Sequence, residues 1–178
     1  MTHAVFFDRD GIVNQRLVGD YVTTWRDFHF LPDIFTVLPR LHSNGWLLVL
    51  VSNQRGIALG RMTTADLNAI HEKMQAELKQ RCGVSFDDLF VCPHSDEDAC
   101  DCRKPKAGML LRAMKAHDIN AGQSWMIGDS ESDVIAGNNA GCRSILVGSD
   151  AQTAATYQCG TLIEAANIVL DVASQETK

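Results

Sequence analysis

This 178-residue chain predicts an α/β fold built on a parallel sheet, and three observations carry that expectation. Short apolar runs rich in β-branched and aromatic residues alternate with helix-like segments, which is the mark of βαβ units. The runs are continuously apolar rather than alternating, so both faces of the sheet are expected to be covered. Three of them end in residues able to do chemistry: Asp8, Ser52 and Asp129. In open sheets of this kind, ligands bind beyond the carboxyl ends of the strands.

The predicted strands are 4–7, 46–51, 89–91, 124–127 and 144–147. Helices are expected over 34–43, 64–81, 108–117, 133–139 and 164–173. The second has Thr63 and Thr64 as candidate caps, with Leu67, Ile70, Met74 and Leu78 at three- and four-residue spacing. Asn44-Gly45 is a plausible stop for the first. No repeat, low-complexity segment or linker divides the chain, so one domain over 1–178 is expected.

With 46% apolar and 21% charged residues, the composition is that of an ordinary globular protein. A net charge of −6 shows no nucleic-acid footprint and no polybasic membrane patch. The apolar run at 46–51 is far too short to span a bilayer, and the N-terminus does not read as a signal peptide. The expected compartment is the cytoplasm, where thiols stay reduced, so the six cysteines read first as free or metal-bound.

Asp8-Arg9-Asp10-Gly11 follows the first strand. Side chains alternate along a strand, so Asp8 and Asp10 can share a direction while Arg9 points elsewhere. Two such acids can hold a divalent cation, or divide labour as nucleophile and general acid and base; the same pattern also suits a plain polar turn. Ser52 and the amides after it can bind a phosphoryl oxygen or simply cap a turn. Asp129, with Asp133 four residues on, suits a hard cation such as Mg²⁺, while Asp129 or Ser130 can equally cap a helix. Arg103 and Lys104 supply positive charge: a point charge for a phosphoryl centre and a bidentate grip. They directly follow Cys92-Pro93-His94, five residues, then Cys100-Asp101-Cys102. Three sulfurs and one imidazole make a closed tetrahedral Zn²⁺ site, favoured here over unrelated thiols or a disulfide. Cys142 reads as core, Cys82 as a helix-end thiol, and Cys159 is unassigned. The remaining histidines, His71 among them, read as structural or surface residues, and the three tryptophans as packing residues.

In this order and spacing, Asp8-x-Asp10-Gly11, Ser52, Lys104 and Gly128-Asp129…Asp133 resemble the haloacid dehalogenase-like phosphatase superfamily over about residues 4–148. The Cys92-x-His94…Cys100-x-Cys102 loop resembles its zinc-containing branch, which acts on heptose bisphosphates or histidinol phosphate. The stretches at 20–22, 52–58 and 100–105 are closer to the heptose enzymes. The resemblance implies a Rossmann-like sheet without a large cap domain, with the zinc loop at 92–102 as a small substitute lid. It implies Asp8 as nucleophile forming an aspartyl phosphate, and Asp10 as general acid and base. It also implies Mg²⁺ on Asp8, the Asp10 carbonyl and Asp129 with Asp133 in support, and Ser52 and Lys104 on the phosphoryl group. Substrate contacts are then expected from Tyr21, Asn53, Gln54, Arg55 and Arg103, in a monomer. Ile12, Arg55 and Ser130 depart from the heptose pattern, where the last two positions commonly hold a small residue and a lysine. The loop from His94 to Cys100 is also shorter than in many heptose enzymes. A non-catalytic binding domain is the alternative of a different class; retention of both Asp8 and Asp10 argues against it.

Overall fold

The computed structural model describes residues 2–149 and 152–176. Met1, Asp150, Ala151, Thr177 and Lys178 lie outside the described residues, and the ends of the expected 1–178 domain fall on them. Six parallel strands form one sheet: β1 (Ala4–Phe7), β2 (Leu47–Asn53), β3 (Asp88–Cys92), β4 (Trp125–Gly128), β5 (Arg143–Val147) and β6 (Tyr157–Cys159). Their spatial order is β3-β2-β1-β4-β5-β6. The chain grows outward from β1 in both directions, so the β1–β4 boundary is the switch point at which the connections diverge to opposite faces.

The helices are α1 (Ile34–Ser43), α2 (Thr64–Cys82), α3 (Gly108–His117), α4 (Glu131–Asn139) and α5 (Leu162–Glu176). On β1 the alternation splits the core: Val5 and Phe7 join Leu38, Leu67 and Val169 on the α1/α2/α5 face. Ala4 and Phe6 join Met109, Leu110 and Ala136 on the α3/α4 face. Both faces are dry, which explains why the strands read as continuous apolar runs. α2 starts in a capping box: Thr63 Oγ1 accepts from the Asp66 amide at 3.1 Å, and Asp66 Oδ2 accepts from the Thr63 amide at 2.8 Å. It stops at Gly83, whose φ of +75° favours glycine.

One strand is added to the expected set, and one open choice is settled. The sequence reading did not find β6, because only three residues pair with β5 and two of them are exposed, which leaves no apolar run. The α4 cap is Ser130 and not Asp129: Ser130 and Asp133 form a capping box, which frees Asp129 to face the strand ends.

Candidate active site and metal centres

Asp8 just after β1, Asn53 at the end of β2 and Asp129 just after β4 meet in one cavity of about 410 Å³ at the carboxyl edge of the sheet. Asp8, Asp10, Tyr21, Asn53, Gln54, Arg55, Arg103, Lys104, Asp129 and Asp133 line it. Ser52 does not: it is 1% exposed, behind the wall, and its Oγ accepts a bond from Gln54 Nε2 at 2.8 Å.

Lys104 is the centre of the charge arrangement. Only 4% exposed, it places Nζ 2.7 Å from Asp8 Oδ1 and 2.7 Å from Asp133 Oδ1, and it donates to the Val51 carbonyl at 2.8 Å. Burial works against its charge, but Asp133 and Asp8 outweigh that and hold its pKa above the ordinary lysine value. Its backbone is fixed by Asn53, which accepts from the Lys104 amide and donates to the Lys104 carbonyl, both at 3.0 Å. The second strand thereby aims a lysine that lies 51 residues away.

Asp10 is gripped on both oxygens. Arg9 donates to Oδ1 at 3.0 Å and to Oδ2 at 2.9 Å, Asn14 to Oδ1 at 2.9 Å, and Gln54 to Oδ2 at 3.1 Å. Burial raises the Asp10 pKa, but the Arg9 charge and these donors overcome it and hold the carboxyl below the ordinary range. Arg9 is fully buried and curls back onto its neighbour, with Nη1 3.3 Å from His71 Nε2. The sequence reading sent Arg9 away from the site and missed this contact; two acids flanking an arginine was the signal that it could serve one of them. Gln54 and Asn53 were expected on substrate, yet their amides are largely engaged by Asp10, Ser52 and Lys104. Arg16, which the sequence reading did not name, lines the cavity 3.4 Å from Asp129 Oδ2.

Two donor sets fit metals of different kinds. Carboxylate oxygens of Asp8, Asp129 and Asp133 all lie within 4.8 Å of one another. Burial, opposed by Lys104 and aided by Asp133 and Asp10, pushes Asp8 up to about 7. Burial first, then Asp133, also raises Asp129. Crowded, desolvated acids of this kind fit a hard divalent cation that would relieve their repulsion. The Asp10 carboxylate stands outside the set. Gly11 makes the approach possible: at φ +99°, a Cβ there would lie 2.0 Å from Asp129 Oδ2.

The second set is Cys92, His94, Cys100 and Cys102, whose ligand atoms also lie within 4.8 Å of one another. Five of their mutual distances run from 3.2 to 3.6 Å, and His94 turns Nδ1 toward the sulfurs. Every cysteine is free, so the disulfide alternative fails. Three soft sulfurs and one nitrogen around one point fit tetrahedral zinc. Outside this set, burial pushes the Cys142 thiol up to about 12, as suits a core residue. Cys82 ends α2, with Sγ 3.1 Å from the Leu78 carbonyl.

The zinc-type loop also carries Asp96, which pairs with both arginines expected on substrate. Arg103 Nε is 2.6 Å from Asp96 Oδ1, and Arg55 Nη1 is 3.4 Å from Asp96 Oδ2. No helix among the described residues is long and apolar enough to cross a membrane.

Comparison with known proteins agrees with this geometry. The HAD-hydrolase-like family model matches residues 101–174. The chain is 41% identical to a D-glycero-beta-D-manno-heptose-1,7-bisphosphate 7-phosphatase of Helicobacter pylori, over 81% of this chain and 82% of that one. It is 37% identical to a D-glycero-alpha-D-manno-heptose-1,7-bisphosphate 7-phosphatase of Mycobacterium bovis, over 81% and 78%. The crystal structure of D,D-heptose 1,7-bisphosphate phosphatase from B. bronchiseptica, complexed with magnesium and phosphate, superposes with a TM-score of 0.88 at 35% identity, covering 96% of this chain and 99% of that one. A site of paired aspartates and a buried lysine at the switch point of a parallel sheet, together with relatives of this identity over four-fifths of the sequence, places the chain in the HAD-hydrolase-like family of phosphatases.

Proposed function

We propose that the protein hydrolyses the 7-phosphate of a D-glycero-D-manno-heptose 1,7-bisphosphate. The observation that carries the reading is the buried Lys104 between Asp8 and Asp133, which leaves Asp8 facing a cavity where a phosphoryl group can meet it. In this mechanism Asp8 attacks phosphorus and becomes an aspartyl phosphate. Lys104 offsets the charge of the transferring group, since an anion cannot approach a carboxylate unless that charge is met. Asp10 gives its proton to the leaving oxygen and then takes one from the water that cleaves the acyl phosphate. The Arg9 grip favours the ionised base of the second half and opposes the protonated form that the first half needs. Gln54 and Asn14 fix the direction of that carboxyl, and Ser52 supports Gln54 from behind.

Asp8 and Asp129, with Asp133, would hold Mg²⁺, which neutralises phosphate charge and orients it for in-line attack. Cys92, His94, Cys100 and Cys102 would hold Zn²⁺, which stiffens the loop that carries Arg103 and Lys104. Arg55 and Arg103 would take the second phosphate, and Tyr21 and Arg16 also line the cavity. We also read the protein as a cytoplasmic monomer; its free thiols suit a reducing compartment.

The bisphosphate is preferred over histidinol phosphate because arginines attract a second anion and repel an amine. The test is phosphate release with Mg²⁺ from heptose 1,7-bisphosphate, heptose monophosphates and histidinol phosphate. The expected result is a kcat/KM for the bisphosphate at least about tenfold above the others, the worth of one charge-assisted contact. A higher value for histidinol phosphate would overturn the substrate and leave the phosphatase class standing.

A further inference from the structure

Five cations line the cavity, and each already has a carboxylate within the chain. Arg9 is locked on Asp10, and Lys104 on Asp8 and Asp133. Arg16 meets Asp129 at 3.4 Å. Arg55 and Arg103 are held by a different kind of partner. Asp96 does not line the cavity, its side chain is 64% exposed, and its two oxygens are divided between the two guanidiniums. Glu97 adds a longer contact to Arg55 at 3.8 Å. The arginines line the cavity and keep 33% and 19% of their side chains exposed, so an incoming anion can reach them. There it competes with Asp96 for the same guanidiniums.

Resting on the bisphosphate reading above, we propose that Asp96 is an internal competitor for the second phosphate of the substrate: a tethered carboxylate that occupies Arg55 and Arg103 until that phosphate displaces it. A carboxylate on a short loop is present at high effective concentration, so a weak or singly charged group gains nothing by replacing it. A phosphate, with nearly two charges and three strong acceptor oxygens, binds an arginine pair better and wins the exchange. The internal competitor lowers affinity for every ligand at this position and leaves a net gain only for a doubly charged one.

The test compares the wild-type enzyme with Asp96→Asn and Asp96→Glu, each loaded with Zn²⁺ and Mg²⁺. The substrates are heptose 1,7-bisphosphate and heptose 7-phosphate, which keeps the scissile end and lacks the second phosphate. In Asp96→Asn the KM for the bisphosphate falls about two- to fivefold, the worth of an exposed ion pair. The KM ratio of monophosphate to bisphosphate widens by the same factor. Asp96→Glu restores the charge and returns the ratio to the wild-type value. A ratio that stays fixed, or that narrows, in zinc-replete Asp96→Asn overturns the proposal while the substrate reading stands. A wild-type enzyme that releases no phosphate from the bisphosphate overturns the substrate reading and this proposal with it.

Discussion

Asp8 and Asp10 sit two residues apart in opposite electrostatic settings. Asp8 is desolvated and crowded by other acids, which pushes it up to about 7, whereas Asp10 is surrounded by donors and is held low. Exchange of the nucleophile is therefore expected to separate chemistry from folding. Asp8→Asn removes a carboxylate whose burial is costly and leaves Lys104 its partner Asp133 at 2.7 Å. Its kcat should fall by more than about 10³-fold, as for other covalent nucleophiles, with no loss of thermal stability. Asp10→Asn should be equally inactive but less stable, because it weakens the carboxylate bonds of a fully buried arginine. Phosphate release and thermal midpoints on the purified variants check both halves; near-normal turnover by Asp8→Asn would refute its role as nucleophile. The acids, the lysine and the four soft ligands were all legible in the sequence, because each is a residue type whose chemistry at that spacing is restrictive. Arg9, Arg16 and Asp96 were not, since nothing in a linear pattern says which carboxylate a long cation will reach.

Single elements matter most in the loop between β3 and α3. Its stretch from Ser95 to Asp101 is mainly small and polar, and it cannot build a core of its own. Its order comes from local bonds, such as the Ser95 amide to Asp98 at 2.6 Å and Lys106 Nζ to the Cys100 carbonyl at 2.6 Å. The cysteine–histidine cluster closes it. Arg103 and Lys104 follow Cys102 directly, so loss of the metal should release the two cations that the site needs. One Zn²⁺ per chain is expected from elemental analysis of protein purified under reducing conditions without chelator. Cys100→Ser should lower zinc content and kcat/KM together, while Cys142→Ser, at a buried core cysteine outside the four-ligand group, should leave zinc content intact. Zinc-free wild-type protein with full activity would show that the cluster serves neither cation. α4 teaches a related lesson. Its cap was open between two residues in the sequence, and tertiary structure chose Ser130 because Asp129 is needed at the strand end.

At the scale of the whole molecule, one titration outside the metal sets couples the site to stability. His71, on α2, is buried against Arg9. Burial first, and then the Arg9 charge, push its imidazole down to about 4, with Asp10 opposing. An unfolded histidine titrates near 6.5, so between these values the folded protein binds fewer protons than the unfolded chain. The contribution is complete above pH 6.5 and is lost as the pH falls toward 4, amounting to at most about 3 kcal/mol. Denaturant melts at pH 7 and pH 4.5 should show this loss in the wild type and a smaller one in His71→Gln; equal losses would sink the assignment. The sequence by itself determined the parallel α/β sheet, nearly every strand and helix, and the identity of the acids, the lysine and both candidate metal sets. Those follow from hydrophobic period and local residue chemistry, which are properties of neighbours along the chain. Only the tertiary structure decided the strand order around β1, the short edge strand β6, the burial that raises Asp8 and the donors that hold Asp10 low, and the pairing of Asp96 with Arg55 and Arg103. Each of these depends on charges and surfaces that are distant in sequence and meet only when the sheet closes, and pair energies of that kind are set by distance and desolvation in space.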